Sequence, residues 1–127
     1  MSTVRDRPAC SAAVSDNGNV HILVAGGCHG WCAKNPAIAS AEIFDLQAGV
    51  WKTVASLPIP LSSAKMDLFG GKPTIVGGYD NMRENGELFQ YYINEDTWRV
   101  QEHFKMRIPR SSPAVFTIPE YIFPECC

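Results

Sequence analysis

Apolar runs of strand length, arranged in pairs with hairpin chemistry between them, organise the chain. Ser11 to Ser15 leads through Asn17-Gly18, a favoured two-residue hairpin turn, into Val20 to Ala25. Ala64 to Phe69 leads in the same way through Gly70-Gly71 into Pro73 to Val76. Each pair stops at a double glycine, and Gly26-Gly27 and Gly77-Gly78 stand 51 residues apart. A polar, turn-rich stretch follows each, then a third strand-like run ("AEIFDL" and "ELFQYYI"), a polar turn, and a tryptophan opening a fourth strand. Trp51 and Trp98 are 47 residues apart, and Pro60 and Pro109, in "PIPLSSAKM" and "RIPRSSPAV", are 49 apart. Three markers thus repeat at the period of a four-stranded propeller blade, ~50 residues.

The order of apolar strand, Gly-Gly, variable loop, Glu-aromatic strand, polar turn, Trp, then Leu or Met resembles the kelch repeat. "ILVAGG...SAEIFDLQAGVWKTVASLP" is the better copy, with Gly26, Gly27, Glu42, Phe44 and Trp51 as its markers. "TIVGGYDN...GELFQYYINEDTWRVQEHFKM" is looser, with Gly77, Gly78 and Trp98. Phe44 precedes Trp51 by seven residues, whereas Phe89 precedes Trp98 by nine. Either Tyr91 takes the Phe44 role or the turn is longer by two. The resemblance implies an all-β fold of four-stranded antiparallel propeller blades, incomplete in this chain. One blade covers 7–55, a second 56–104, and the first hairpin of a third 105–127, where "PECC" stands in place of a double glycine. In such an architecture the recurring indoles pack against the adjacent blade.

The segment "VHILVAGGCHGW" poses a chemical question, because the glycines run into Cys28, His29, Trp31 and Cys32. A phosphate loop needs a following helix and the Lys and Ser/Thr of the nucleotide motif, which both double glycines lack. Zinc needs four ligands, commonly from paired cysteine knuckles, and here there is one C-x3-C with His21 nearby in sequence. Recurrence favours an architectural role, with the glycines where strands crowd near the axis. Five cysteines without regular spacing lead us to expect free thiols, and neither metal nor cofactor is expected.

Composition narrows the function further. Hydrophobic residues make up 46% and charged residues 19%, with a net charge of -2, so no basic footprint for nucleic acid exists. No signal-like N-terminal core and no window of ~18 apolar residues is present, so no membrane span and a cytoplasmic setting are expected. The terminal "ECC" is similar to a double-cysteine prenylation signal but lacks a preceding polybasic segment. GxSxG, HExxH and Cys/His nucleophile patterns do not appear, and no enzymatic activity is expected.

The resemblance instead implies a protein-binding module, in the manner of a substrate receptor or a cytoskeletal adaptor, using loops 28–40, 79–86, 54–62 and 102–110. His29, Trp31, Lys34, Asn35, Asn81, Arg83, Asn85, Arg107 and Arg110 are the candidates, aromatic and Arg/Asn groups suited to an acidic or turn-shaped peptide. The alternative is a structural blade fragment with no ligand of its own. Two and a half blades also leave apolar groups such as Val115, Phe116, Ile118, Tyr121, Ile122 and Phe123 uncovered. Further blades or self-association are therefore expected.

Overall fold

The structure, a computed structural model, describes residues 1–117. Strands β1 (Arg5–Asp6), β2 (Ala9–Val14), β3 (Val20–Ala25), β4 (Cys28–His29), β5 (Ala41–Asp45) and β6 (Val50–Val54) form the first half. Strands β7 (Lys65–Phe69), β8 (Lys72–Val76), β9 (Glu87–Tyr92) and β10 (Thr97–Lys105) form the second. Two four-stranded antiparallel sheets result, β2-β3-β5-β6 and β7-β8-β9-β10, with β1 paired to β4. The fold is all-β, as expected of kelch blades from an incomplete propeller, and no helix occurs among the described residues.

The two hairpin turns differ. Phe69 pairs with Lys72, and Gly70 and Gly71 both take positive φ (58° and 75°), the two-residue turn expected there. Val14 pairs with Val20, and the Ser15 amide donates to Asn19 O at 3.0 Å, so the first loop holds Asp16, Asn17 and Gly18. Asn17-Gly18 is therefore not a two-residue turn; Gly18, at φ 84°, closes a three-residue loop in the left-handed conformation.

Register in the second sheet follows Tyr91. Tyr91 lies opposite Trp98 as Phe44 lies opposite Trp51, with ring centroids 4.9 and 5.2 Å apart. Glu42 consequently corresponds to Phe89, and Glu87 to Ser40. The apparent nine-residue spacing arises because β9 carries a second aromatic two residues earlier, on the same face.

Side-chain alternation sends Leu23 and Ile43 of the first sheet against Ile75, Phe89 and Tyr91 of the second, with Leu57 and Leu61 from the connecting segment. The Trp98 indole N–H donates to Ala55 O at 2.9 Å, bridging the sheets. Burial pushes the Tyr91 hydroxyl far above its usual range, helped by its 2.8 Å hydrogen bond to Asp96. Trp51 sits with Phe44 on the opposite face of the first sheet, against which no second sheet packs among the described residues.

The segments leading into successive units repeat more closely than the sequence suggests. Arg7, Ser63 and Ser112 each take positive φ (51°, 54° and 49°). The Ser63 amide donates to Arg7 O at 3.1 Å, and the Ser112 amide to Ser63 O at 2.7 Å. Three lead-in segments are thereby laced in a row. Residues 113–117 carry no ladder pairing, and the rest of the expected third hairpin, with Ile118, Tyr121, Ile122, Phe123 and the terminal cysteines, lies outside the described residues.

Candidate functional site

The double glycines shape the rim. All four take positive φ, between 69° and 98°. A Cβ on Gly26 would stand 2.3 Å from Leu61 O, and one on Gly77 2.6 Å from Arg110 O, both on the lead-in to the next unit. A Cβ on Gly27 would meet Asp6 O at 2.6 Å, and one on Gly78 the Ala64 Cβ at 2.8 Å, on the lead-in to the same sheet. Close backbone approach on both sides accounts for the pair. The Gly27 and Gly78 amides donate to Leu61 O and Arg110 O at 2.8 and 3.0 Å.

From Gly27 the chain enters a loop closed by two constraints. A bridge pairs Cys28 with Ala37, and a disulfide joins Cys28 to Cys32, their Cα atoms 5.2 Å apart. The expectation of free thiols fails here; Cys10 remains free and exposed. Sequence spacing cannot reveal that a tight turn brings two sulfurs together. Both sulfurs are thereby committed to each other, and His21 pairs with Asp45 at the far end of β3 from Cys28, so these residues do not gather as a ligand set.

At the loop's tip the Trp31 carbonyl accepts from the Lys34 amide and the Asn35 side chain, each at 3.0 Å. The Lys34 ammonium sits 5.3 Å above the Trp31 ring. Trp31 is 61% exposed, and His29 and Lys34 are exposed beside it.

The second loop is built on Asp80. Its carboxylate accepts the Arg83 and Met82 amides, each at 2.9 Å, and these bonds hold it below the usual carboxylate range. Met82 at the tip is 88% exposed, and Arg83 is exposed next to it.

Asn81 and Asn85, both candidate contacts, hydrogen-bond within the loops. Asn81 accepts the Ala37 amide at 2.6 Å and donates to Ala37 O at 3.2 Å, clamping one loop to the other. Asn85 is 5% exposed, with its amide on Gly77 O and Glu87 O and its oxygen on the Glu87 N–H. No partner can reach that side chain. Residues 102–105 of the expected 102–110 loop belong to β10, and Arg107 and Arg110 are exposed on the segment after it, next to Ser111, whose amide and hydroxyl donate to Glu84.

Sequence reasoning missed one buried charge. Arg5 donates to both Gly26 O and Ser40 O, and its guanidinium pairs with Glu42 at 3.0 Å, the two side chains 0% and 3% exposed. Burial pushes the Glu42 carboxyl up, but the Ser2 hydroxyl and amide and the Arg5 guanidinium outweigh it and hold the group at about 2. A repeat marker was legible at Glu42, whereas nothing in the spacing linked it to a residue 37 positions earlier.

Residues 7–58 match the family model of the Kelch motif. The match spans the first sheet and the passage into the second. No curated protein matches the chain.

Proposed function

We propose that this chain, carrying the kelch motif of a protein-interaction module, holds a protein or peptide partner with the loops of one rim. The observation carrying this reading is the Asn81 clamp, which sets the Trp31 loop beside the Met82 loop while leaving both tips in solvent. An exposed aromatic and an exposed thioether on anchored loops supply adaptable apolar contact at low ordering cost. Lys34 stands over Trp31 and Arg83 follows Met82, and these exposed cations, with Arg107 and Arg110 exposed on the segment after β10, suit an acidic or turn-shaped peptide. A substrate-receptor or cytoskeletal-adaptor role fits this chemistry, and no enzymatic step is assigned. His29 and Asn35 belong to the Trp31 loop, which Asn81 ties to the Met82 loop, and Asn85 braces the Met82 loop from within.

Affinity capture with the wild type, Trp31→Ala and Arg83→Ala tests the reading. A partner retained by the wild type and lost about tenfold or more in either variant supports it; a partner indifferent to both changes defeats it.

A second reading is favoured by the far face of the second sheet, where Phe69 and Phe104 meet edge-to-face at 5.9 Å and remain exposed, with Phe116 nearby in the same groove. On that reading the chain is a structural part of a larger ring, with blades at 7–55 and 56–104 and a third beginning at 105. Completion by further blades or self-association covers this face. Sedimentation at several concentrations tests it, and a monomer throughout excludes self-association.

A further inference from the structure

We propose that Cys28 and Cys32 form a thiol–disulfide exchange site, open to dithiol reductants, that sets how firmly the Trp31 tip is held. The inference does not depend on the rim being a binding surface, because its readout is the opening of the loop itself.

The two sulfurs sit in unlike surroundings. Cys28 is buried in β4, paired with Asp6 and bridged to Ala37, whereas Cys32 is only half-buried at the tip. An incoming thiolate therefore reaches the Cys32 sulfur, and the Cys28 sulfur is the leaving group. Attack breaks the Cys28–Cys32 bond, forms a mixed disulfide at Cys32, and leaves a Cys28 thiolate that takes up a proton. The second thiol of the reductant then attacks its own sulfur in the mixed disulfide and releases the Cys32 thiolate, which is protonated in turn. The reductant departs as a disulfide, and two electrons have passed to the protein.

Both states have a place in this fold. Oxidised, the bond closes a five-residue ring containing His29, Gly30 and Trp31. With the bond closed the Cys32 sulfur already lies 3.4 Å from Asp6 O, which is placed to accept from its thiol once the bond is reduced. The base of the loop stays fixed without the bond, through the Ile38 amide on Gly27 O at 2.8 Å and the Asn81 clamp on Ala37. Arg5 also keeps its pairing with His29 and its bridge to Gly30, and beyond Gly30 the Cys32 amide on the Asp6 carboxylate at 2.9 Å and the turn around Trp31 O persist. Reduction thus loosens residues 31–36 and leaves the β1–β4 pair and both sheets as they are.

Lys34 gives the test a built-in cleavage point. The full chain, purified in air, is alkylated and mapped by mass spectrometry with and without dithiothreitol, then digested briefly with trypsin. Cys10 should label in both conditions, and Cys28 and Cys32 only after reduction. Cleavage after Lys34, two residues beyond the ring, should rise on the order of tenfold on reduction, because the turn carrying it loses its covalent tie to β4. A Cys28→Ser/Cys32→Ser variant should cleave at the fast rate with or without dithiothreitol. Labelling of both cysteines before reduction, a change in cleavage below twofold, or a double variant that still responds to reductant would each overturn the proposal. If the double variant fails to fold, the labelling and cleavage arms on the native chain still decide it.

Discussion

Two corresponding positions in the two units are filled by opposite chemistry. In the second, Leu61 and Phe89 are buried together in the core joining the sheets. In the first, the matching lead-in residue is Arg5 and the matching β5 residue is Glu42, an equally buried ion pair closed over by Ser2. The same backbone thus supports either an apolar contact that glues sheet to sheet or a polar one that seals a face by itself. Apolar burial gains from every neighbour that arrives, whereas a buried ion pair needs its own partners and little else.

The comparison breaks most sharply at Phe89. Phe89→Ala should cost ~3–5 kcal/mol, because it empties the contact between the sheets; urea unfolding measures this, and a loss below about 1 kcal/mol would show that the sheets are not held there. Glu42→Gln should cost about as much or slightly less, ~3 kcal/mol, because it strands a buried guanidinium. Arg5→Met with Glu42→Leu, converting the first unit to the chemistry of the second, should recover most of that loss.

Acid sharpens the same contrast. The Glu42 carboxyl is held at about 2 in the folded chain against an ordinary 4.5, so its contribution is complete above pH 4.5. That contribution, ~3 kcal/mol, should disappear as the pH falls from 4.5 towards 2. Stability measured across this window should fall in the wild type and fall less in Glu42→Gln.

Glycine substitutions should give smaller effects, graded by space. Gly26→Ala forces a Cβ against Leu61 O and should cost ~2–3 kcal/mol, whereas Gly18→Ala, with nothing within 4 Å, should cost only the ~1 kcal/mol of a strained φ. Equal losses would remove the crowding argument. Smallest of all, Trp98→Phe gives up the hydrogen bond to Ala55 O, worth ~1 kcal/mol, and Trp51→Phe, whose indole N–H has no partner among the described residues, should be close to neutral. Thermal unfolding of the two variants side by side separates them.

What the sequence made legible was whatever the backbone demands locally. The Gly-Gly pairs, the strand runs and Trp51 and Trp98 recur because sterics and alternation constrain each one within a few residues. The third strand of the second sheet was ambiguous, since Phe89 and Tyr91 lie on one face two residues apart and either could meet Trp98. The loop chemistry was less accessible. Asn81 and Asn85 look like donors for a partner until the fold brings Ala37 and Gly77 to them. The Cys28–Cys32 bond and the Arg5–Glu42 pair likewise depend on distances created only by folding.

The laced lead-ins at Arg7, Ser63 and Ser112 carry a consequence for how such a chain tolerates change. Each link joins backbone to backbone, so the step from one unit to the next is set along the lead-ins by peptide geometry. Side chains between the sheets govern how tightly neighbours adhere. Pitch and adhesion are therefore separate properties of the molecule, and substitutions that reshape a sheet's face can accumulate while each unit still starts at the same bearing as the one before.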